Sequence, residues 1–415
     1  MRGKTMKTHN ETPLLLLPMT LLLANIFMLA APAFAEGDPD IDPPLAALGP
    51  VPEPPDNRIT AAKSELGKML YFDPKLTGDA GLACSDCHDP EQGWGFNDPI
   101  CRGYPGAVHW RNCHTAVNSG YMDKLFWTGS AKSMEEQARG AATGGISGNG
   151  ERDVMEQRLR QTPYYVEKFR EVFGTERPIL NDAWLAIATF ERAQLSQTDT
   201  PLDRYLQGDE TALSEQAIRG MELFNGKANC IECHNGPMLS DQKFYNLGVP
   251  RPFEWEDMGI NTITYRFELY AKGVPEKYYR EFKDDPGLYF DTKRPSDLGK
   301  FRTQPLRYLI YTPPYMHAGQ FFTLEEVIDF YDEGGGENEM TERAGSKTPI
   351  LKPLGLTDEE KAALVVFLEE ISGDEITMPP PEVPPYAVMP DVADLTQAQA
   401  KRIGLEMFLA LKSRE

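Results

Sequence analysis

The sequence predicts a mainly α-helical protein built from two related helical units. Apolar residues recur with helical spacing along most of the chain after Ile59, and we find no convincing run of paired strands. A short pattern also occurs twice, each time just before two closely spaced cysteines. The chain has 415 residues, 41% hydrophobic and 25% charged, which is typical of a folded globular protein of two or three domains.

The N-terminus has the pattern of a secretory signal peptide. Three basic residues among the first seven precede an apolar run, Leu14 to Ala31, and Ala33-Phe34-Ala35 follows as a small-residue cleavage site. We predict removal of residues 1–35 by cleavage after Ala35 and export to the periplasm. An uncleaved anchor is the alternative, because the apolar run is long for a signal peptide. No later segment is apolar enough to span a bilayer, so we expect no membrane association after cleavage.

The rest of the chain divides at changes in composition. Residues 36–57 are rich in proline and acid and predict a leader with little helical structure. We then expect an N-terminal domain over 58–205, a C-terminal domain over 206–375, and a Pro-rich linker with a helical tail over 376–415. The helical pattern is clearest in six segments: Met134 to Arg139, Asp153 to Gln161, Ala183 to Leu195, Ser214 to Phe224, Leu324 to Tyr331 and Thr357 to Ile371.

A weak internal repeat supports two related units. The stretch S-E-L-G-K-M-L-Y-F before the first cysteine pair parallels Q-A-I-R-G-M-E-L-F before the second pair. A similar helix is therefore expected to lead into each pair. A third stretch of this kind, A-K-R-I-G-L-E-M-F at 400–408, has no cysteines after it, and we interpret it as an amphipathic end rather than a vestigial third unit.

The charge balance limits the possible partners. Asp and Glu number 63 against 42 Lys and Arg, for a net charge of −21. Phosphates would be repelled, which argues against a nucleic-acid partner. The same charge favours solubility and attraction to a basic protein.

Two C-x-x-C-H motifs, at 84–88 and 230–234, carry the chemistry of the chain. A C-x-x-C pair in an exported protein could form a disulfide, half a zinc site or a redox dithiol. The histidine directly after the second cysteine instead indicates covalent haem, because two thiols then bind the porphyrin edge and the imidazole binds the iron beneath it. We predict thioether bonds and proximal iron ligands from six residues: Cys84, Cys87, His88, Cys230, Cys233 and His234.

Two cysteines remain outside these motifs, Cys101 and Cys113. They lie in a loop that contains Gly and Pro. In an oxidising compartment the expected arrangement is a structural disulfide that closes this loop.

Taken together, the motifs resemble the bacterial di-haem cytochrome c peroxidase and MauG family over about 58–375. The resemblance rests on stretches in fixed order: L-A-C-S-D-C-H, R-N-C-H-T-A-V-N, L-F-W-T-G-S-A, A-N-C-I-E-C-H-N-G-P, F-R-T-Q-P-L-R, T-P-P-Y-M-H-A-G and T-L-E-E-V. It implies two cytochrome c-like domains, each with one haem. It also implies a calcium ion and an electron-relaying tryptophan near the domain interface.

The resemblance assigns roles to particular positions. Trp127, in F-W-T-G-S-A, falls where the family has its inter-haem tryptophan. Asn112 matches a calcium ligand through its side-chain oxygen, and Thr312 and Pro314 match two positions that offer backbone carbonyls. Oxygen ligands of this kind suit Ca²⁺.

The distal ligand of the second haem separates two branches of the family. The peroxidases have a methionine at the position that is occupied here by Tyr331, in D-F-Y-D-E-G-G-G. A tyrosine there resembles the MauG-type branch and implies His and Tyr ligands to that iron. A phenolate donor stabilises oxidised iron and lowers the potential relative to methionine. The alternatives are that Tyr331 is an ordinary helix residue and that Met340, or no residue, is the ligand.

The first haem is expected to be the peroxide site, and there the chain departs from the family. Gln137 matches the distal glutamine, but Ser147 stands near the position of the distal glutamate. Splitting peroxide needs a base that takes and returns a proton, which serine cannot do at neutral pH. Four residues could substitute, or in the case of the histidines close the site as an iron ligand: Glu135, Glu151, His109 and His114.

Three functions follow from these observations. The leading prediction is a MauG-like oxidoreductase that uses hydrogen peroxide at the first haem and passes oxidising equivalents through Trp127 and the second haem to a protein partner. The alternative enzyme removes hydrogen peroxide with electrons from a small cytochrome c or copper protein. The third possibility is a non-enzymatic di-haem electron carrier, which the missing glutamate favours.

Overall fold

The computed structural model describes residues 44–104, 106–252, 259–345 and 347–387. The predicted signal peptide and its cleavage site, the first part of the acidic leader, and the 400–408 stretch lie outside these residues. Within the described ranges no helix combines the length and the apolar character needed to cross a membrane.

The first half of the described chain forms five helices around one hydrophobic core. Four residues of these helices are completely buried in this core: Leu70, Tyr165, Phe169 and Phe190. Several helices begin at a side chain that accepts a backbone N–H, such as Thr60 before α1. The helices are α1 Ala61–Tyr71, α2 Met134–Thr143, α3 Arg152–Arg160, α4 Pro163–Phe173 and α5 Leu180–Gln194.

The second half contains eight helices among its described residues, of which α8 and α13 are the longest at 13 residues each. Thr323 and Thr357 each form a capping box with a glutamate three residues later, which fixes where two of these helices begin. The helices are α6 Pro201–Leu206, α7 Glu215–Asn225, α8 Gly259–Ala271, α9 Glu276–Glu281, α10 Tyr289–Thr292, α11 Leu324–Asp332, α12 Glu339–Ala344 and α13 Asp358–Glu370.

The described residues form one small sheet. Strand β1, Phe244–Tyr245, pairs antiparallel with strand β2, Phe301–Arg302. The sheet places the segment after the second C-x-x-C-H motif against the F-R-T-Q-P-L-R stretch. The prediction of a mainly α protein is therefore confirmed, since each of the two strands has only two residues.

The two halves contain the same helix crossing. In the first half α1 packs on α5 so closely that a Cβ on Gly67 would lie 1.9 Å from the Ala186 carbonyl oxygen. In the second half α7 packs on α13 in the same way, and a Cβ on Gly220 would lie 2.0 Å from the Ala363 carbonyl oxygen. Both glycines belong to the repeated stretch found in the sequence. The repeat thus encodes a close contact between α1 and α5 in the first half and between α7 and α13 in the second.

The described residues form four hydrophobic clusters, and the three largest organise the two halves. One lies in the first half around Phe190, and a second lies in the second half around Phe224 and Phe367. A third joins Trp110 of the first half to Tyr265 and Met340 of the second. The assignment of one haem domain to 58–205 and another to 206–375 remains a prediction.

Candidate functional site

A cavity of about 1040 Å³ lies between the two halves. Both C-x-x-C-H motifs line it, together with Trp127, Gln137 and Tyr331. The sequence positions predicted to carry chemistry are therefore brought to one space, although they lie far apart along the chain.

The first motif forms a tight turn that presents His88 to the cavity. Residues Cys84–Asp86 make one turn of 3₁₀ helix, and the His88 N–H donates to the Cys84 carbonyl at 3.0 Å. The His88 ring Nδ1 lies 2.8 Å from the His114 carbonyl oxygen. A carbonyl can only accept, so Nδ1 carries the proton and Nε2 keeps its lone pair for a metal. Burial lowers the pKa of His88, which favours the neutral ring that metal binding needs.

The second motif repeats this geometry. Residues Cys230–Glu232 form the turn, and the His234 N–H donates to the Cys230 carbonyl at 2.9 Å. The His234 Nδ1 lies 3.0 Å from the Leu239 carbonyl oxygen, so Nε2 is again the free nitrogen. Burial also lowers the pKa of His234.

The site fits haem better than the other uses of a cysteine pair. Both motifs line one large cavity, and His88 and His234 are each neutral with a free Nε2. Among the described residues, one group brings three potential metal donors together: Cys87, Cys101 and Cys113. Two of these three sulfurs are already joined to each other, so the group does not provide a zinc site.

The predicted disulfide between Cys101 and Cys113 is confirmed. Their Cα atoms are 5.4 Å apart, within the usual range for a disulfide. The Sγ atoms of Cys87, Cys101 and Cys113 all lie within 4.8 Å of one another. The disulfide therefore holds the loop 101–113 beside the first C-x-x-C-H motif.

Trp127, the predicted electron relay, lies between the rings of two histidines. Its Nε1–H donates to the Asn112 carbonyl at 2.8 Å. Its ring centroid is 4.4 Å from the His114 ring and 6.4 Å from the His317 ring. The carbonyl of His114 accepts the hydrogen bond from His88, so one residue contacts both the predicted iron ligand and Trp127.

One of the expected calcium residues, Asn112, contacts the segment that contains the other two. The Asn112 N–H donates to the His317 carbonyl at 2.8 Å, which brings Asn112 beside the segment that contains Thr312 and Pro314. The Asn112 Nδ2 lies 3.3 Å from both the Asp98 and the Pro99 carbonyl oxygens. Those carbonyls accept hydrogen bonds from the amide nitrogen. The side-chain oxygen of Asn112 is therefore the atom available to bind a cation, as the resemblance implies. The calcium site remains a prediction.

The structure separates the two candidates for the second distal ligand. Tyr331, on α11, lines the cavity, and burial raises its pKa. Met340 is fully buried in the cluster around Trp110 and Tyr265, and it is not among the residues that line the cavity. Tyr331 is therefore the better placed of the two.

The residues named for proton transfer at the first haem differ in position. Gln137 and Ser147 line the cavity, but the Ser147 hydroxyl donates to the Ala141 carbonyl at 2.7 Å. Glu135 binds Arg192 at 2.6 Å, and Glu151 is exposed at the start of α3. Neither carboxylate reaches the cavity lining.

His109 and His114 do line the cavity. The His109 ring stacks on Trp110 with the centroids 4.2 Å apart, and its Nδ1 accepts the Arg111 N–H at 3.2 Å. Burial, and to a smaller extent the positive charge of Arg111, lowers the pKa of His109 to about 3. Burial also lowers the pKa of His114, so both rings are neutral.

Glu191 is a cavity residue that the sequence interpretation missed. It lies on α5 one helical turn after Ile187, and both residues line the cavity. Burial raises the pKa of Glu191 to about 8. Its spacing after Ile187 marks a shared helix face, but only the packing shows that this face meets a cavity.

The family model described as di-haem cytochrome c peroxidase matches residues 61–211. Cytochrome-c peroxidase IdrP1 of Pseudomonas sp. (strain SCT) is 49% identical over 368 residues, which cover 88% of this chain and 94% of the relative. Methylamine utilization protein MauG of Methylorubrum extorquens is 32% identical over 335 residues, which cover 80% of this chain and 85% of the relative.

A solved structure has a similar fold. It is the crystal structure of a MauG-like protein associated with microbial copper homeostasis, with a TM-score of 0.65 and 29% identity. The match covers 78% of this chain and 93% of that protein. The family resemblance predicted from the motifs is confirmed, and the third possibility, a non-enzymatic carrier, is not favoured. The chain belongs to the di-haem cytochrome c peroxidase family, whose members carry two c-type haems and act as oxidoreductases.

Proposed function

We propose that this protein is an exported di-haem peroxidase that reduces hydrogen peroxide to water with electrons from a small redox protein. The observation that carries the proposal is the single cavity lined by both C-x-x-C-H motifs and Trp127. The 49% identity to a relative named cytochrome-c peroxidase supports peroxide as the oxidant. Reducing one peroxide to two waters consumes two electrons and two protons, so the site needs an electron route and a proton donor.

The residues divide these tasks. A bound c-type haem supplies an iron that exchanges single electrons and offers a coordination position to peroxide. His88 and His234 would hold the two irons through Nε2, with each ring oriented by the carbonyl that its Nδ1–H meets. Trp127 would carry electrons between the two halves through its ring, which lies against His114.

Proton supply has to differ from the pattern that the family resemblance implies. The Gln137 amide can donate a hydrogen bond to bound peroxide but cannot transfer a proton at neutral pH. Glu191 is buried and lines the same cavity, and the Glu135–Arg192 ion pair joins its part of α5 to the helix that carries Gln137. Glu191 is the buried carboxyl of this cavity whose pKa burial raises, so we propose it as the proton donor for the site.

Calcium and export belong to the same proposal. Ca²⁺ bound by Asn112, Thr312 and Pro314 would fix the loop that also supplies the carbonyl for Trp127. Export to the periplasm rests on the signal-peptide pattern at residues 1–35 and on the disulfide, which is typical of an oxidising compartment.

A turnover measurement tests the peroxidase proposal. We expect peroxide-dependent oxidation of a reduced small cytochrome c, and we expect Trp127→Phe to lower that rate by about tenfold or more. Trp94→Phe is the matched control, because Trp94 is fully buried in the core of the first half and does not line the cavity. Equal loss in both variants, or no turnover in the unmodified protein, would contradict the proposal.

Oxidation of a protein partner is the second candidate, and Tyr331 is the observation that favours it. A tyrosine ligand would stabilise oxidised iron at the second haem, which suits storage of oxidising equivalents rather than rapid electron entry. Steady turnover with a reduced cytochrome separates the two functions. If added cytochrome is not oxidised but peroxide still changes the haem spectrum, the partner-oxidising function is the one supported.

A further inference from the structure

Four arginines are buried in the described residues: Arg111, Arg192, Arg302 and Arg307. Three of them have a carboxylate partner. Arg111 binds Asp285 at 2.6 Å, Arg192 binds Glu135 at 2.6 Å, and Arg307 binds Asp203 at 2.8 Å. Arg302, which is only 4% exposed, makes no ion pair with any carboxylate of the described residues.

The neighbours of the Arg302 guanidinium are neutral. Its Nε lies 3.4 Å from the Phe126 carbonyl oxygen, one terminal nitrogen lies 3.3 Å from the Thr303 carbonyl oxygen, and the other lies 3.0 Å from the Gln304 side-chain oxygen. A guanidinium has five N–H donors, so two of them remain without a partner in this set. These contacts hold the group in place but do not neutralise its charge.

The charge itself persists. Burial lowers the pKa of Arg302 to about 10, so the side chain is still protonated at neutral pH. No carboxylate contributes to this pKa, in contrast to Arg111, whose pKa is raised by Asp285. A buried, unpaired cation is costly, and proteins compensate for it with an anion.

The position of Arg302 indicates where that anion lies. Arg302 lines the cavity and belongs to β2. Its backbone N–H donates to the Trp127 carbonyl at 3.0 Å, so the side chain starts beside the residue proposed to join the two haem sites. An anion that meets this guanidinium therefore sits in the cavity, at the junction of the halves.

We propose that Arg302 binds a propionate carboxylate of one of the two haems and compensates its charge at the junction beside Trp127. The two N–H donors without a partner match the oxygens of a carboxylate, the group with which arginine makes its strongest hydrogen bonds. This contact fixes the edge of that haem toward Trp127. It would also add a positive charge to the surroundings of that haem, which favours the reduced state. The inference depends on haem binding alone and holds for either proposed function.

The test uses the haem-loaded protein without peroxide or electron donor, so its failure is distinct from failure of the proposed function. Haem carboxylates are labelled with ¹³C by feeding labelled 5-aminolevulinate during expression, and their infrared bands are followed from about pH 5 to 8. In Arg302→Gln one labelled carboxylate should take up a proton in this range, and one haem should have a lower midpoint potential. Arg302→Lys should keep the carboxylate ionised.

Arg158→Gln is the matched control. The Arg158 guanidinium also binds backbone carbonyls, those of Lys75, Thr77 and Gly78, but it does not line the cavity. Carboxylate bands and potentials of Arg302→Gln that equal those of Arg158→Gln would overturn the proposal. If Arg302→Gln loses haem, Arg302→Lys decides. The labelled carboxylate should stay ionised but its band should shift, because a lysine cannot reproduce the two-pronged contact, and a band at the same position as in the unmodified protein would overturn the proposal.

Discussion

At the scale of single residues, two histidines illustrate how backbone geometry prepares a side chain for a metal. His88 and His234 each point Nδ1 at a carbonyl oxygen, at 2.8 Å and 3.0 Å. Each carbonyl belongs to a loop that follows the motif, so the sequence between motif and loop sets the ring orientation. The result is the same free Nε2 in both halves, reached with different partners.

Tyr331 is the residue that most directly separates the two candidate functions. Tyr331→Met should raise the midpoint potential of the second haem, because a thioether stabilises oxidised iron less than a phenolate does. Spectroelectrochemical titration of the two haems measures this. Tyr315→Phe, another cavity-lining tyrosine, is the control. An unchanged potential and spectrum in Tyr331→Met would show that Tyr331 is not the ligand.

Glu191 makes stability depend on pH. Burial raises the pKa of Glu191 from 4.5 to about 8. The nearby Arg192 lowers this pKa and the nearby Glu135 raises it, and both effects are smaller than that of burial. Tyr71 and Cys84 lie in its electrostatic environment as well. Below pH 4.5 the Glu191 carboxyl is neutral in both the folded and the unfolded chain. As the pH rises from 4.5 to 8 it ionises in the unfolded chain first, so its contribution to the stability of the folded protein is lost by about pH 8.

The unfolding free energy of Glu191→Gln should therefore fall less than that of the unmodified protein between pH 5 and pH 8. Urea unfolding at several pH values measures the difference. Glu136→Gln serves as control, since Glu136 also lines the cavity but its side chain is 42% exposed. Parallel curves for Glu191→Gln and the unmodified protein would show that Glu191 is ionised throughout this range.

The residue scale also marks the limit of sequence reasoning. Roles for Cys84, His88 and their counterparts could be proposed from the sequence because the spacing itself is typical of haem attachment. Glu191 and Arg302 were not, because each depends on burial and on the identity of distant neighbours. Tyr331 lies between these cases: its sequence position predicts a ligand, and the structure places it on the cavity.

At the scale of elements, the crossing helices explain why a glycine occurs in each repeated stretch. Gly67→Ala and Gly220→Ala should each lower the unfolding free energy by about 1–3 kcal/mol or more, because the added methyl overlaps a carbonyl of the partner helix. Denaturant unfolding measures the loss. Gly49→Ala is the control, since a Cβ there meets nothing within 4 Å. A loss at Gly49 equal to that at Gly67 would contradict the account.

Whether a helix could be predicted from the sequence depended on its length. All six segments with clear periodicity coincide with helices to within a few residues, for example Thr357 to Ile371 with α13. The short helices α9, α10 and α12 have six residues or fewer, too few for a periodic pattern to be recognised. Such helices depend on packing against the rest of the protein more than on their own sequence. The two-residue strands carry no sequence pattern at all.

At the scale of the whole molecule, the acidic net charge should govern encounters with an electron donor. A basic small cytochrome would be attracted to a chain with charge −21, so its association rate should fall as salt rises. Turnover measured at low donor concentration across ionic strengths tests this, with an acidic donor as the control. A basic donor whose rate does not change with salt would show that this charge does not steer it.

The whole-molecule arrangement was only partly predictable. Two repeated motifs indicated two similar units, and the family resemblance placed Trp127 between them. That both motifs open onto one cavity of about 1040 Å³ required the packing of distant segments, including β1 against β2. The junction residue Arg302 belongs to that packing.

The central claim is that one exported chain binds two haems covalently, and intact-mass spectrometry after denaturation tests it most directly. The account predicts a mass equal to the chain from Glu36 plus two haems, reduced to one haem when the cysteines of either motif are replaced by alanine. A denatured protein that weighs no more than its polypeptide would contradict the account.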